Sequence, residues 1–229
     1  MSFGLARGRE LDATGVAVDP AGFPPLPDDV LARPQAGHLN IPSWFADPSR
    51  PLQIEIGSGK GTFLIQRAPA EPHANFLGIE YAREFYMYAA DRIRRAAIPN
   101  VRMLCTDAGE FVRWRVADHS VQVIHLYFPD PWPKTRHHRR RMIQDEFLAQ
   151  CLRVLAPGAE LRVVTDHDDY WAWMEKHFAR WCRPDGPFER HAYTPPAGVG
   201  EGELVGTNFE RKYREEGRGF HGAVLRKPA

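Results

Sequence analysis

Leu52-Gln53-Ile54-Glu55-Ile56 running directly into Gly57-Ser58-Gly59-Lys60-Gly61 is the stretch on which the fold turns. A short, mostly apolar run meets three alternate glycines, the pattern of a buried parallel strand entering a ligand-binding loop. Spacing excludes two familiar phosphate loops. A P-loop would need Gly at position 54 and Ser or Thr at 61, where Ile54 and Gly61 stand. A dinucleotide fingerprint beginning at Gly57 would need its third glycine at 62, which is Thr62. What remains is a carboxylate, Glu55, beside glycines that let a ligand touch the backbone, a setting that favours a cationic ligand over pyrophosphate.

Outward from this stretch the pattern repeats. Apolar runs recur at NFLGIE (75–80), NVRMLC (100–105), VQVIHLYF (121–128) and AELRVVT (159–165). Between them lie stretches long enough for crossover helices at 62–69, 83–97, 108–115 and 144–155, with another at 169–181. Five strands with intervening helices predict an α/β fold with a doubly wound, mostly parallel sheet. FHGAVL (220–225) is expected to return as a C-terminal antiparallel strand, and the Pro- and Gly-rich segment 184–206 to form a loop. Eight of the twenty prolines fall in the first 51 residues, so 1–50 reads as a Pro-rich N-terminal arm ahead of a domain at 51–229. Phe23, Leu26, Leu39, Ile41, Trp44 and Phe45 suit an arm lying across that domain.

Composition bounds the class. The 229 residues carry thirty Lys and Arg against twenty-nine Asp and Glu, and 43% are hydrophobic, which excludes an intrinsically disordered chain. No stretch approaches the roughly 18 to 20 apolar residues of a membrane span, and the N-terminus has no signal-like apolar block, so a cytoplasmic location is expected. Cys105, Cys151 and Cys182 are far apart and read as small core residues. No H-E-x-x-H is present, and adjacent His137 and His138 do not suit paired ligation, so no metal is expected.

Two more acids follow strands. Glu80 stands twenty-three residues after Gly57, where a carboxylate accepts both hydroxyls of a ribose, and Asp107 follows the third strand, where an adenine amino group could be held. Ligands of such sheets bind outside the carboxyl ends of strands, and an acidic, glycine-lined crevice fits S-adenosylmethionine. The alternative is that Glu80 and Asp107 are helix N-caps or first-turn acids.

The fourth strand ends in Phe128-Pro129-Asp130-Pro131-Trp132-Pro133-Lys134. Alternating prolines bias the preceding residues to extended geometry and would present Asp130 rigidly beside the crevice, unless the segment is only a structural turn. Directly after it, Lys134, Arg136, Arg139, Arg140 and Arg141 put five positive charges into eight residues, with His137 and His138 among them. Removing those five from a total of +1 leaves the other 221 residues at −4. One concentrated cationic patch is the footprint of a nucleic-acid partner; the bland alternative is a solvated face.

At this point the residues resemble a known family, the bacterial tRNA (guanine-N7-)-methyltransferases. The resemblance rests on E-I-G-x-G-x-G at 55–61, G-I-E at 78–80, D-A at 107–108 and F-P-D-P-W-x-K-x-R-H-x-R-R at 128–140. It continues in V-x-T-D at 163–166, T-x-F-E at 207–210 and G-x-x-x-H-G at 217–222. It implies a Rossmann-like class I S-adenosylmethionine-dependent methyltransferase domain that methylates N7 of a guanine in tRNA, the variable-loop guanine at tRNA position 46, with no obligate protein partner. Glu55, Gly57, Gly59, Glu80, Asp107 and Asp130 would then hold S-adenosylmethionine. Lys134, Asp166, Thr207, Asn208, Phe209 and Glu210 would meet the target nucleotide, and Arg136, His137, His138, Arg139, Arg140 and Arg141 the tRNA. Asp130 is the expected catalytic carboxylate and Asp166 the second choice, its alternative being a helix N-cap. Trp132 and Phe209 are candidates to stack on an exposed base or simply to pack. The sequence departs from the family at Ser58, where an aromatic residue is common, and at Asn208, where Lys is frequent.

Three other readings share parts of this pattern. A small-molecule methyltransferase has no need of the basic run, a nicotinamide oxidoreductase lacks its third glycine, and an RNA-binding module leaves Glu55, Glu80 and Asp107 unexplained.

Overall fold

In the computed structural model, Leu5 and residues 8–196, 199–200 and 203–229 are described. The apolar runs form the centre of an eight-stranded sheet: β2 (Leu52–Ile56), β3 (Asn75–Glu80), β4 (Val101–Cys105), β5 (Val121–Tyr127) and β6 (Leu155–Thr165). These five are parallel to one another, and β8 (His221–Arg226) returns antiparallel against β6, as its position after the last crossover predicts. With short edge strands β1 (Ala17–Val18) and β7 (Glu189–Ala192), the order β1-β4-β3-β2-β5-β6-β8-β7 reverses direction at β2, so the switch point lies between β2 and β5. A ligand crevice belongs there, outside the carboxyl ends of both strands.

The crossovers are α1 (Thr62–Ala70), α2 (Arg83–Arg95), α3 (Ala108–Arg115), α4 (Asp145–Val154) and α5 (Asp168–Trp181). Each buries one apolar stripe, for example Phe147, Leu148, Cys151 and Val154 of α4. The central strands are buried on both faces: all five residues of β2, including Gln53 and Glu55, are inaccessible.

Two glycines are dictated by space. Gly61 adopts a left-handed φ of 68° at the start of α1, and a Cβ there would lie 3.0 Å from that of Ala89. Gly78 sits mid-strand in β3, where a Cβ would come within 2.8 Å of Ser58 Oγ and closer still to Met103 and Leu64. Ser58 therefore packs directly over the glycine of the neighbouring strand.

Several expectations are corrected. The arm supplies a strand of its own, β1 (Ala17–Val18), paired parallel to β4 at the sheet edge. It lies on the domain through Ile41 and Phe45, both buried, and through Phe23 and Trp44, whose rings stack 5.6 Å apart beside Phe111; Leu26 stays partly exposed. The segment expected to be a loop contains β7 (Glu189–Ala192), short, exposed and paired to β8, an edge strand with no apolar alternation to announce it. β6 begins at Leu155 instead of Ala159, directly behind α4. A sixth helix, α6 (Asn208–Glu215), forms in a charge-rich stretch because Thr207 caps it. Of the cysteines only Cys151 is fully buried; Cys105 and Cys182 are half-exposed.

Candidate functional site

The switch point holds a cavity of about 300 Å³. It is lined by Glu55 of β2 with Gly57 and Ser58 of the following loop, by Tyr127 and Phe128 at the end of β5, and by Thr207 and Lys212 of the α6 region. Glu55 is 4% exposed and its Oε2 accepts no hydrogen bond from any described residue. Burial, with a smaller contribution from the nearby Glu80 carboxylate, pushes its pKa up to about 8, against a hydrogen bond from Ser58 that lowers it. A buried, unpartnered carboxyl oxygen in a cavity is a site for a donor, and best for a cationic one.

The glycine loop is closed on itself. The amides of Gly57 and Ser58 both donate to the Ile79 carbonyl, at 2.8 and 3.1 Å, and Gly61 N–H donates to Ser58 O at 2.8 Å. Gly59 N–H donates to Glu80 Oε2 at 2.8 Å, while Ala82 N–H donates to Glu80 Oε1 at 2.8 Å. Glu80 therefore locks the loop to the end of β3, and its two oxygens still have lone pairs to offer. Asp107 is exposed and is the N-cap of α3, with Oδ1 accepting from Glu110 N–H at 3.0 Å. The capping alternative weighed for it is thus real, and it occupies one of the two oxygens.

The turn after β5 departs from the expected extended geometry. Phe128 and Trp132, both preceding prolines, take left-handed φ values of 51° and 43°. Such strain persists only where surroundings over-determine it. Phe128 N–H donates to Val164 O at 2.8 Å, and its ring meets Tyr213 and Phe220 edge-on at 6.0 and 5.9 Å. Trp132 lies against His137 at 5.8 Å and beneath Arg140 at 4.9 Å. Between them, Asp130 is exposed and accepts no hydrogen bond from any described residue.

Arg141, expected among the RNA-facing cations, is corrected: its side chain is 1% exposed. Its Nε donates to Pro131 O at 2.8 Å, its guanidinium pairs with Asp169, and it packs over Tyr170 and Trp173. It fastens the strained turn to α5. Lys134, Arg136, Arg139 and Arg140 are exposed, His137 and His138 half-buried, on a 3-10 turn at Thr135–Arg140.

Asp166, at the end of β6, is not the cap of α5, a role His167 takes by accepting from Tyr170 N–H at 3.2 Å. Its carboxylate, 10% exposed, pairs with Arg218 at 2.6 Å. Thr207 lines the cavity and caps α6, its Oγ1 accepting from Glu210 N–H at 3.1 Å. Glu210 is corrected as a nucleotide contact: its side chain is fully buried. It accepts the amides of Leu204, Val205 and Gly206 and pairs with Arg214, so it holds the segment before α6 in place. Those hydrogen bonds keep its pKa below the usual carboxylate value despite burial, which acts the other way. The side chains of Asn208 and Phe209 lie outside the described residues.

Of the expected residues, the cavity wall brings together Glu55, Gly57 and Thr207. It adds Tyr127, Phe128 and Lys212, which sequence reasoning did not assign. The two aromatics carried a signal, standing at the carboxyl end of a strand. Tyr127 is fixed there by His125, which contacts its hydroxyl at 2.8 Å and Gln53 at 2.8 Å. Lys212 carried none, being one of several charges in a polar helix. Among the described residues, no helix is long and apolar enough to cross a membrane.

Comparison with known proteins completes the picture. The sequence profile of a family described as "Putative methyltransferase" matches residues 49–221. A tRNA (guanine-N(7)-)-methyltransferase of Halorhodospira halophila is 32% identical over 199 residues, covering 84% of this chain and 81% of that protein. One of Alkalilimnicola ehrlichii is 32% identical, with 86% and 81% covered. One of Nitrobacter hamburgensis is 41% identical over 63% of this chain and 56% of its own length. Among solved structures, a SAM-dependent methyltransferase from Aquifex aeolicus superposes with TM-score 0.51 at 13% identity, covering 91% of this chain and 94% of that one. The aminoglycoside resistance methyltransferase NpmB1 gives 0.51 at 16%, covering 89% and 94%. At such identities the likeness is one of fold.

Proposed function

We propose that this chain, which belongs to the tRNA (guanine-N7-)-methyltransferase family, transfers a methyl group from S-adenosylmethionine to N7 of a guanine in tRNA. The observation that carries the reading is Glu55: a buried carboxyl with an unpartnered oxygen, facing the switch-point cavity of a methyltransferase fold. The α-ammonium of S-adenosylmethionine satisfies that oxygen. In the same reading Glu80, which keeps lone pairs beyond its bonds to Gly59 and Ala82, accepts the ribose hydroxyls, and Asp107 accepts from the adenine amino group with the oxygen its cap leaves over. When bound, the cofactor supplies an electrophilic methyl group on a sulfonium sulfur.

The chain's own work is positioning. Guanine N7 carries a lone pair and no proton at neutral pH, so no general base is needed, and alignment of donor and acceptor supplies much of the acceleration. Positive charge moves onto the purine as the methyl transfers, and a fixed carboxylate at the guanine edge stabilises it. Asp130 fits that role better than Asp166. It is exposed and uncommitted on a turn held by strain and by Arg141, whereas Asp166 is neutralised by Arg218. The same carboxylate can accept from guanine N1–H and the 2-amino group, which selects guanine over adenine. By resemblance Lys134, which is exposed, and Thr207, which lines the cavity, meet the nucleotide, and Arg136, Arg139 and Arg140 offer exposed cations to tRNA phosphates. By resemblance the target is the variable-loop guanine at tRNA position 46, and a tRNA substrate supports a cytoplasmic location.

The test is methyl transfer from labelled S-adenosylmethionine to unmodified total tRNA, followed by nucleoside analysis and mapping of the modified position. Formation of 7-methylguanosine is expected. Cofactor binding without any tRNA product would overturn the substrate and return the basic turn to a solvated surface.

A further inference from the structure

An amino-acid cofactor brings two charges to the cavity, and Glu55 answers only one of them. The carboxylate beside the α-ammonium needs donors, and in many glycine loops backbone amides would provide them. Here the amides of Gly57, Ser58, Gly59 and Gly61 are already spent on Ile79, Glu80 and Ser58. The positive charge must therefore come from a side chain. The cavity wall holds two cations, Lys60 and Lys212. Lys60 sits in the glycine loop between Gly59, whose amide is bound to Glu80, and Gly61, and its carbonyl accepts from Arg92 at 2.6 Å. Lys212 comes from α6 and lines the same cavity as Glu55, Thr207 and Phe128. Among the described residues its ammonium has a long 3.8 Å contact with Glu216 and a position 5.8 Å from the Tyr213 ring, and it is 66% exposed. Those contacts leave it free to turn to a stronger acceptor.

We propose that Lys212 binds the α-carboxylate of the methyl donor, completing with Glu55 a pair of opposite charges for the zwitterionic end of the cofactor; this rests on the S-adenosylmethionine reading above. The consequence reaches beyond affinity. Lys212 stands on the helix that Thr207 caps and that Glu210 ties to residues 204–206, so cofactor binding seats the nucleotide-facing segment.

The experiment compares, by calorimetry on the full chain, binding of S-adenosylmethionine, S-adenosylhomocysteine and decarboxylated S-adenosylmethionine to wild type, Lys212→Met, Lys212→Arg and Lys60→Met. Lys212→Met should weaken the two carboxylate-bearing ligands roughly tenfold, leave the decarboxylated analogue unchanged and keep the wild-type melting temperature, with Lys212→Arg restoring most of the loss. An equal loss for all three ligands, no loss, a loss confined to Lys60→Met, or a loss only in tRNA affinity would each overturn the assignment. A wild type that binds none of the three would instead overturn the cofactor reading itself.

Discussion

Glu55 titrates in a range where its charge can be read directly. With its pKa pushed up to about 8 by burial, roughly a tenth of the carboxyl is ionised at pH 7 in the free protein. A cationic ligand pairs with the ionised form, so binding expels the remaining proton, close to one per site at pH 7. Affinity should climb about ninefold between pH 6 and 7 and about fivefold between 7 and 8. Glu55→Gln removes the charge but keeps the shape, so its affinity should be flat across this window. The two curves should converge at acid pH and separate as the pH rises. Stability moves the other way. The folded pKa lies above the unfolded value of 4.5, so the contribution of this group is fully present below pH 4.5 and is lost as the pH rises through 8. That loss amounts to about 5 kcal/mol at full ionisation, as an upper order of magnitude. Glu55→Gln should therefore gain stability relative to wild type between pH 5 and pH 9 in the absence of ligand. Calorimetry with S-adenosylhomocysteine in buffers of different ionisation enthalpy reads proton release, and thermal melts read the stability arm. A wild-type affinity independent of pH, with no proton released, would refute the reasoning.

Other outcomes follow from the same contacts. Asp130→Ala should abolish methyl transfer while leaving the melting temperature unchanged; substantial turnover in the folded variant would remove Asp130 from the mechanism. Charge reversal at Arg139 and Arg140 should weaken tRNA binding and lower the slope of log affinity against log salt by about two, whereas an unchanged slope would mark a solvated face. Arg141→Ala should cost about 2 to 3 kcal/mol of stability in denaturant melts, through the lost hydrogen bond to Pro131 and packing on Tyr170 and Trp173, without changing that salt slope. Glu210→Ala leaves the amides of residues 204–206 without their acceptor and should raise hydrogen exchange through α6, with Glu210→Gln recovering part of the protection.

The FPDPW turn shows how strain and charge divide the labour beside the cavity. Prolines alone would have held Phe128 and Trp132 extended, yet both are left-handed. Ring contacts at each and the buried Arg141 hold that geometry, and Asp130 is delivered between them without a partner of its own. A carboxylate that the fold does not use is one that a substrate can.

What the sequence determined by itself was the sheet and the place of the crevice. Apolar runs bounded by glycine and proline set β2 and β3 to the residue, because a strand buried on both faces needs an unbroken apolar run and announces its ends. Motif spacing likewise placed Glu55, Glu80 and Asp107 at the carboxyl ends of successive strands. What only the tertiary structure decided was which charged groups are free. Arg141 and Arg140 are neighbours in one basic run, yet one is sealed beneath the turn and the other is exposed, because direction on a 3-10 turn is settled by what packs against it. Glu210 and Asp166 carry the same charge as Asp130, but Glu210 is taken up by the amides just before its helix and by Arg214, and Asp166 by Arg218 from 52 residues away. Lys212 reached the cavity only because β8 and the capped helix before it fold back across the switch point. Burial and partnership are properties of the packed chain, and they decide whether a carboxylate or an ammonium is structure or chemistry.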